Sequence, residues 1–224
     1  AGAIEGMALA LEDTHLNGVG HNVPFLAAVM DQARFQSGAL STAYIKDEFP
    51  DGFHGLDASK RQTDILIASA MAMHEIISDQ SGDPSNRTEW HVLISPGSAG
   101  GLKAGNPHPV TLSYDDYEAL GIHLEDEDRT LILSEIDWRP GLAQFRAVLD
   151  DTPFTAEVGR IADRFDIRHR AARAQVRVMT PALAALYARL PEKVAADTSK
   201  LIQSPMPGLV VAIPVSVGQA VKTG

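Results

Sequence analysis

Between Ile65 and Met73 the chain reads ILIASAMAM, nine residues with no charge and one polar side chain, Ser69. The run sits inside KRQTDILIASAMAMHEIISDQSG, residues 60–82. Asp57 or Ser59 can cap its start, and Gly82 and Pro84 stop it. A surface helix would carry a charged stripe through its middle, and this one has none on any face. A membrane span needs roughly 18 to 20 apolar residues, so the uncharged stretch is too short for lipid and must be enclosed by protein. Ala68, Ser69, Ala70 and Ala72 are small enough to let neighbours approach closely. The helix is therefore expected at the centre of its domain, with Ile65, Leu66, Met71, Met73 and Ile76 as its core face.

From Trp90 to Thr180 the period changes to two. Candidate strands are EWHVLI, HPVTLSY, LGIHLE, TLILSEI, FRAVLD, FTAEVGRIAD, RFDIRH and AQVRVMT, separated by turn-forming clusters. Eight short strands at this spacing predict an antiparallel barrel or sandwich. Taken with a helix that must be wrapped, they predict an α+β fold: an eight-stranded antiparallel β-barrel around a long central helix. Residues 1–55 read as helix and turn. Ile4, Met7, Ala8 and Leu11 have helical spacing, and Pro24 suits a first helical turn. TPALAALYARLPEKV reads as a short amphipathic helix. AADTSKLIQS follows as a polar linker, and the chain finishes on a β stub with Gly218 at a turn. The expected divisions are 1–55, 56–195 and 196–224, with both ends read as interior cuts of a longer protein.

The sequence holds 19 Lys and Arg against 29 Asp and Glu, a formal charge of −10, which gives no overall attraction to nucleic acid or an anionic membrane. With no cysteine, thiolate metal sites, disulfides and Cys nucleophiles are excluded. Four fragments approach enzyme signatures and fail. GVGHNV has Val23 where a dinucleotide loop needs its last Gly. GSAGGLK has Leu102 before Lys103. Pro96 replaces the first Gly of a nucleophile elbow at Ser98, and HEIIS has Ser78 where a zincin needs its second His. The eight histidines show no metal-ligand spacing, and His74 reads as a hydrogen-bonded core residue. YDDYE and EDEDR read as solvated turns. Arg160, Arg164, Arg168, Arg170, Arg173 and Arg177 form a basic stripe, with Arg168 and Arg170 on one strand face. It is either a solvated outer face or a contact surface for an acidic partner. No catalytic or metal residue is assigned.

GVGHNVPFLAAVMDQARFQSGALSTAYIKDEFPDGF, residues 18–53, resembles the end of the biotin carboxylase domain in α subunits of biotin-dependent acyl-CoA carboxylases. DTSKLIQSPMPGLVVAIPVSVGQAVKTG, residues 197–224, resembles the start of the biotin carboxyl carrier domain of the same subunits, with Pro205, Met206, Pro207 and Gly208 as its opening motif. His21 and Asn22 before VPFL, with DTSK and PMPG, are closer to the propionyl-CoA enzymes than to the methylcrotonyl-CoA or acetyl-CoA enzymes. The resemblance implies that the middle is the subunit-docking (BT) domain, an eight-stranded barrel around a helix. It implies ATP and Mg²⁺ used by residues before Ala1, biotin on a Lys beyond Gly224, and a carboxyltransferase β subunit as partner. It further implies no turnover by this piece alone, and a bacterial cytoplasm or mitochondrial matrix. SDQSGDPSNRTEW resembles the hook such α subunits insert against the β subunit, making Asp83, Pro84, Asn86 and Arg87 the candidate contact residues. The alternatives are a methylcrotonyl-CoA or acetyl-CoA carboxylase α subunit, a lipoyl-type acyltransferase component, or a stand-alone interaction module.

Overall fold

The structure, a computed structural model, describes residues 2–16, 18–82, 87–96, 106–114, 119–190, 209, 212 and 215–220. Helices α1 (Gly2–Glu12), α2 (Val23–Asp31), α3 (Ala33–Gln36) and α4 (Tyr44–Glu48) come first. The long helix α5 (Lys60–Gln80) follows. Then come β1 (Glu89–Pro96), β2 (His108–Tyr114), β3 (Leu120–Leu124), β4 (Arg129–Asp137), β5 (Gln144–Leu149), β6 (Thr152–Ile161), β7 (Arg164–His169) and β8 (Ala172–Met179), with α6 (Pro181–Tyr187) last. Helix α5 starts on a capping box: Ser59 Oγ accepts from the Gln62 amide, and Gln62 Oε1 accepts from the Ser59 amide at 2.9 Å. It ends where Gly82 takes φ 68°, a left-handed position that glycine fills without strain.

Each strand pairs antiparallel with its neighbours in sequence, and β1 pairs with β8, so the eight-stranded sheet closes into a barrel without an edge. Alternate residues point inward: Phe145, Ala147 and Leu149 on β5; Phe154, Ala156 and Val158 on β6; Phe165 and Ile167 on β7. Inside lies α5, with every residue from Ile65 to Met73 buried. An eight-stranded barrel has an interior scaled to side chains. A helix fits because Ala68, Ser69, Ala70 and Ala72 present almost no bulk; each is at most 1% exposed. Ile65, Leu66, Met71 and Met73 lie in the core. Ile76 does not: it is half-buried, and its neighbour Ile77 packs against the cluster instead, because the helix is leaving the barrel by this point and only one face still meets strands.

The described chain divides into two compact units, Ala1–Arg189 and Leu190–Gly224. The first 55 residues share the first unit with the barrel rather than standing apart from it. Glu12 Oε1 accepts from the Thr155 amide at 2.7 Å, and Arg170 donates to Glu12 at 2.9 Å and to Asp31 at 2.8 Å. Helix α6, capped by Thr180 Oγ1 accepting from the Leu183 amide, covers Leu93 and Met179 on the outside of the barrel. In the second unit, a turn at Val217 and Gly218 is described, with Gly218 at φ 87°. Val210, Val211, Ile213 and Pro214 of the expected strand lie outside the described residues, as do Pro205, Met206, Pro207 and Gly208.

Candidate functional site

The antiparallel order gives the barrel two mouths, one where α5 enters and one where it leaves. At the entry mouth, polar chemistry ties the helix to the sheet. Asp64 is 6% exposed, and both its oxygens accept from the Arg129 guanidinium. That pairing holds the Arg129 pKa above its ordinary value. Arg61 donates to the Leu149 carbonyl at 2.6 Å, and Lys60 Nζ lies 2.9 Å from Glu127. Hydrogen bonds from Arg129, then Lys60, lower the Glu127 carboxyl to about 2. Glu125 accepts from Thr111 at 2.6 Å, and Asp126 meets His108 at 2.6 Å. The EDED turn is therefore not merely solvated: its carboxylates knot two hairpins and the helix start together.

Beside this mouth, His169 Nδ1 lies 3.1 Å from the Thr155 carbonyl and 3.7 Å from Glu12. Burial pushes the His169 pKa down, with Glu12 pulling the other way. Arg170 belongs to this set. It sits in the β7–β8 turn at φ 54° and faces α1 and α2, so it does not share a strand face with Arg168 as its spacing suggested.

The exit mouth is different. Trp90, 7% exposed at the start of β1, lies between two partners. The His74 ring meets it edge-on at 4.4 Å, and the Arg87 guanidinium stacks over it at 5.7 Å. His74 is thus a half-buried aromatic neighbour at the rim, not a residue of the sealed core. Tyr114, 63% exposed, donates its hydroxyl to Glu75 at 2.6 Å; partial burial first, then this bond, raises its pKa. Between β4 and β5 the register shifts from Ser134 to Asp137, where Glu135 takes φ 50°, and past this bulge Trp138 packs against the core. Trp138 Nε1 donates to the Leu142 carbonyl at 3.1 Å. Next to it opens an apolar pocket of about 240 Å³, walled by Met73, Ile77, Trp138, Leu142, Val158 and Phe165.

Of the candidate contact residues, Arg87 is placed at this exit mouth, while Asp83, Pro84 and Asn86 lie outside the described residues. The arginine stripe is largely neutralised from within. Arg168 pairs with Glu157, Arg173 with Asp166 at 2.6 Å, Arg164 with Asp163 at 3.4 Å, and Arg177 with Asp163 at 2.8 Å. The carboxylates come from neighbouring strands or from the β6–β7 turn, so an acidic partner would find most of the stripe already matched. Among the described residues no group of three or more His, Asp or Glu side chains could hold a metal, and no helix is long and apolar enough to cross a membrane.

The propionyl-coenzyme A carboxylase BT domain model matches residues 66–193, more than half of the chain and all eight strands of the barrel. The chain belongs to this BT domain family. The BT match begins at Leu66 on the enclosed helix and runs through α6. The whole chain is also 37% identical to the propionyl-CoA carboxylase alpha chain of Ruegeria pomeroyi, over 32% of that protein's length. It is 30% identical to the mitochondrial propionyl-CoA carboxylase alpha chain of Mus musculus, over 31% of its length. Identity to the mitochondrial alpha chain of Homo sapiens is 28%, over 99% of this chain and 31% of the relative. The chain thus spans about a third of the length of these curated relatives.

Sequence reasoning located the BT barrel and its helix. It missed the Asp64–Arg129 pair and the Glu12–Arg170–Asp31 set. The only available signals were a carboxylate one residue before a greasy run, Asp64, and an arginine just past the candidate strand RFDIRH, Arg170, whose spacing suggested a strand face shared with Arg168.

Proposed function

We propose that this chain is the assembly part of the α subunit of a biotin-dependent propionyl-CoA carboxylase. It docks the carboxyltransferase β subunit through the exit mouth of the barrel. The BT family match across residues 66–193 carries the reading, and the relatives named above all bear the propionyl-CoA carboxylase name, which favours it over the methylcrotonyl-CoA, acetyl-CoA and lipoyl alternatives. The parent enzyme would use ATP, Mg²⁺ and bicarbonate to carboxylate biotin, and its β subunit would then carboxylate propionyl-CoA. No step of that chemistry is assigned to the described residues. The compartment would be the bacterial cytoplasm or the mitochondrial matrix, in keeping with a bacterial relative and relatives named mitochondrial.

The physical support is the asymmetry of the mouths. A contact segment tied to a buried helix is held in place before it meets a partner, which lowers the ordering cost of association. Arg87, fixed over Trp90 just past the helix, is such a group. The test is to titrate the 224-residue chain with purified β subunit by calorimetry, and separately to assay it for ATP hydrolysis with bicarbonate and free biotin. Saturable binding without phosphate release is expected. Absence of binding, or robust ATP hydrolysis, contradicts the proposal.

A further inference from the structure

The apolar pocket at the exit mouth has one charged group at its rim. Arg160 continues the inward-facing series Phe154, Ala156 and Val158 on β6, and it lines the pocket together with Leu142 and Phe165. It is also the exception in the arginine stripe. Arg164, Arg168, Arg170, Arg173 and Arg177 each have a carboxylate within ion-pair distance, whereas among the described residues Arg160 has none. A volume of about 240 Å³ falls below the roughly 300–1,000 Å³ of pockets that hold small-molecule ligands. It suits one large apolar side chain. Such a chain, buried in a dry pocket and flanked by a charge, is how protein interfaces concentrate their binding energy.

We propose that this pocket receives a single large apolar side chain from the partner polypeptide, with an Asp or Glu beside it in the partner's sequence that pairs with Arg160. The assignment rests on the docking reading above and adds a second anchor to it, separate from Arg87. It commits to a protein occupant because the walls offer hydrocarbon and one cation, with no further donor set to recognise a phosphate or a nucleotide.

The experiment uses the full-length α chain and β subunit, measuring Kd by calorimetry across a salt series for wild type, Arg160→Glu, Arg160→Lys and Leu142→Asp. Thermal melts check that each variant is folded; both positions are exposed enough to accept the changes. Arg160→Glu is expected to weaken Kd about tenfold and flatten its salt dependence, as losing a complementary rim charge does. Arg160→Lys should keep the salt dependence, and Leu142→Asp, which sets a carboxylate on the same pocket as Arg160, should weaken Kd and flatten the salt dependence as well. If wild type binds and both Arg160→Glu and Leu142→Asp bind as tightly as wild type, the pocket is not an anchor, and the docking reading survives alone. If wild type itself fails to bind, the docking reading falls and takes this assignment with it.

Discussion

The two mouths of the barrel are made from the same strands and the same helix, yet they are built on opposite principles. Where α5 enters, charges are paired with each other: Asp64 with Arg129, Lys60 with Glu127, Glu12 with Arg170 and Arg170 with Asp31. Where α5 leaves, Asp163 pairs with Arg164 and Arg177, but aromatic rings and an apolar pocket face outward, and Arg87 and Arg160 have no carboxylate partner among the described residues. A mouth whose polar groups are satisfied internally has little left to offer another protein. A mouth with half-exposed rings and uncompensated cations does. The contrast teaches where stability and where association reside.

The largest effect expected from breaking the contrast is at Asp64. Asp64→Ala leaves the Arg129 guanidinium at the helix start with Glu127 alone and should cost about 3 kcal/mol by denaturant unfolding, with the affinity of the folded protein for the β subunit unchanged. Loss of affinity without loss of stability would reverse the roles of the two mouths. Glu12→Ala should cost about 2 kcal/mol, removing an acceptor from Thr155 and Arg170. Its signature is local: amide exchange should quicken in α1 and α2 while β3 and β4 stay protected. Uniform quickening would mean the barrel depends on the helical segment.

A pH titration sharpens the same point. Burial lowers the His169 pKa below its unfolded value, so the unfolded chain binds this proton first. The contribution is complete above the unfolded value near pH 6.5 and declines as pH falls from there toward the folded pKa, Glu12 and Asp31 opposing the shift and Arg170 reinforcing it. Glu127, lowered to about 2, adds a separate loss as pH falls from its ordinary 4.5 toward 2. His169→Gln should flatten the first limb and leave the second. An unaltered first limb would place the titrating group elsewhere. The smallest stability effect belongs to the exit mouth: Arg87→Ala should cost no more than about 1 kcal/mol, the scale of an exposed cation–ring contact, while weakening β-subunit binding. Unchanged binding would remove Arg87 from the docking surface.

The enclosure of α5 was legible because a charge-free run of that length leaves one physical solution, and the strands because half-buried pleats impose alternation. HPVTLSY and RFDIRH coincide with β2 and β7 to the residue. The ion-paired mouth was not legible. Asp64 and Arg129 are 65 positions apart, and only barrel closure makes them neighbours. The pairing within the arginine stripe was hidden for a related reason: Glu157 lies directly across from Arg168 in the β6–β7 register, a pairing no linear spacing reveals. Ile76 was placed in the core along with the charge-free run it follows, and that run carries no information about where the surrounding strands stop.

Amide exchange of the chain, with and without a saturating β subunit, tests the asymmetry most directly. The account predicts new protection around the exit of α5: the end of that helix, Arg87 to Val92, Trp138 to Leu142 and Val158 to Phe165. Exchange should be unchanged at Asp57 to Asp64, Glu125 to Arg129 and His169 to Ala172. Protection centred on that second set, around the ion-paired entry, would contradict it.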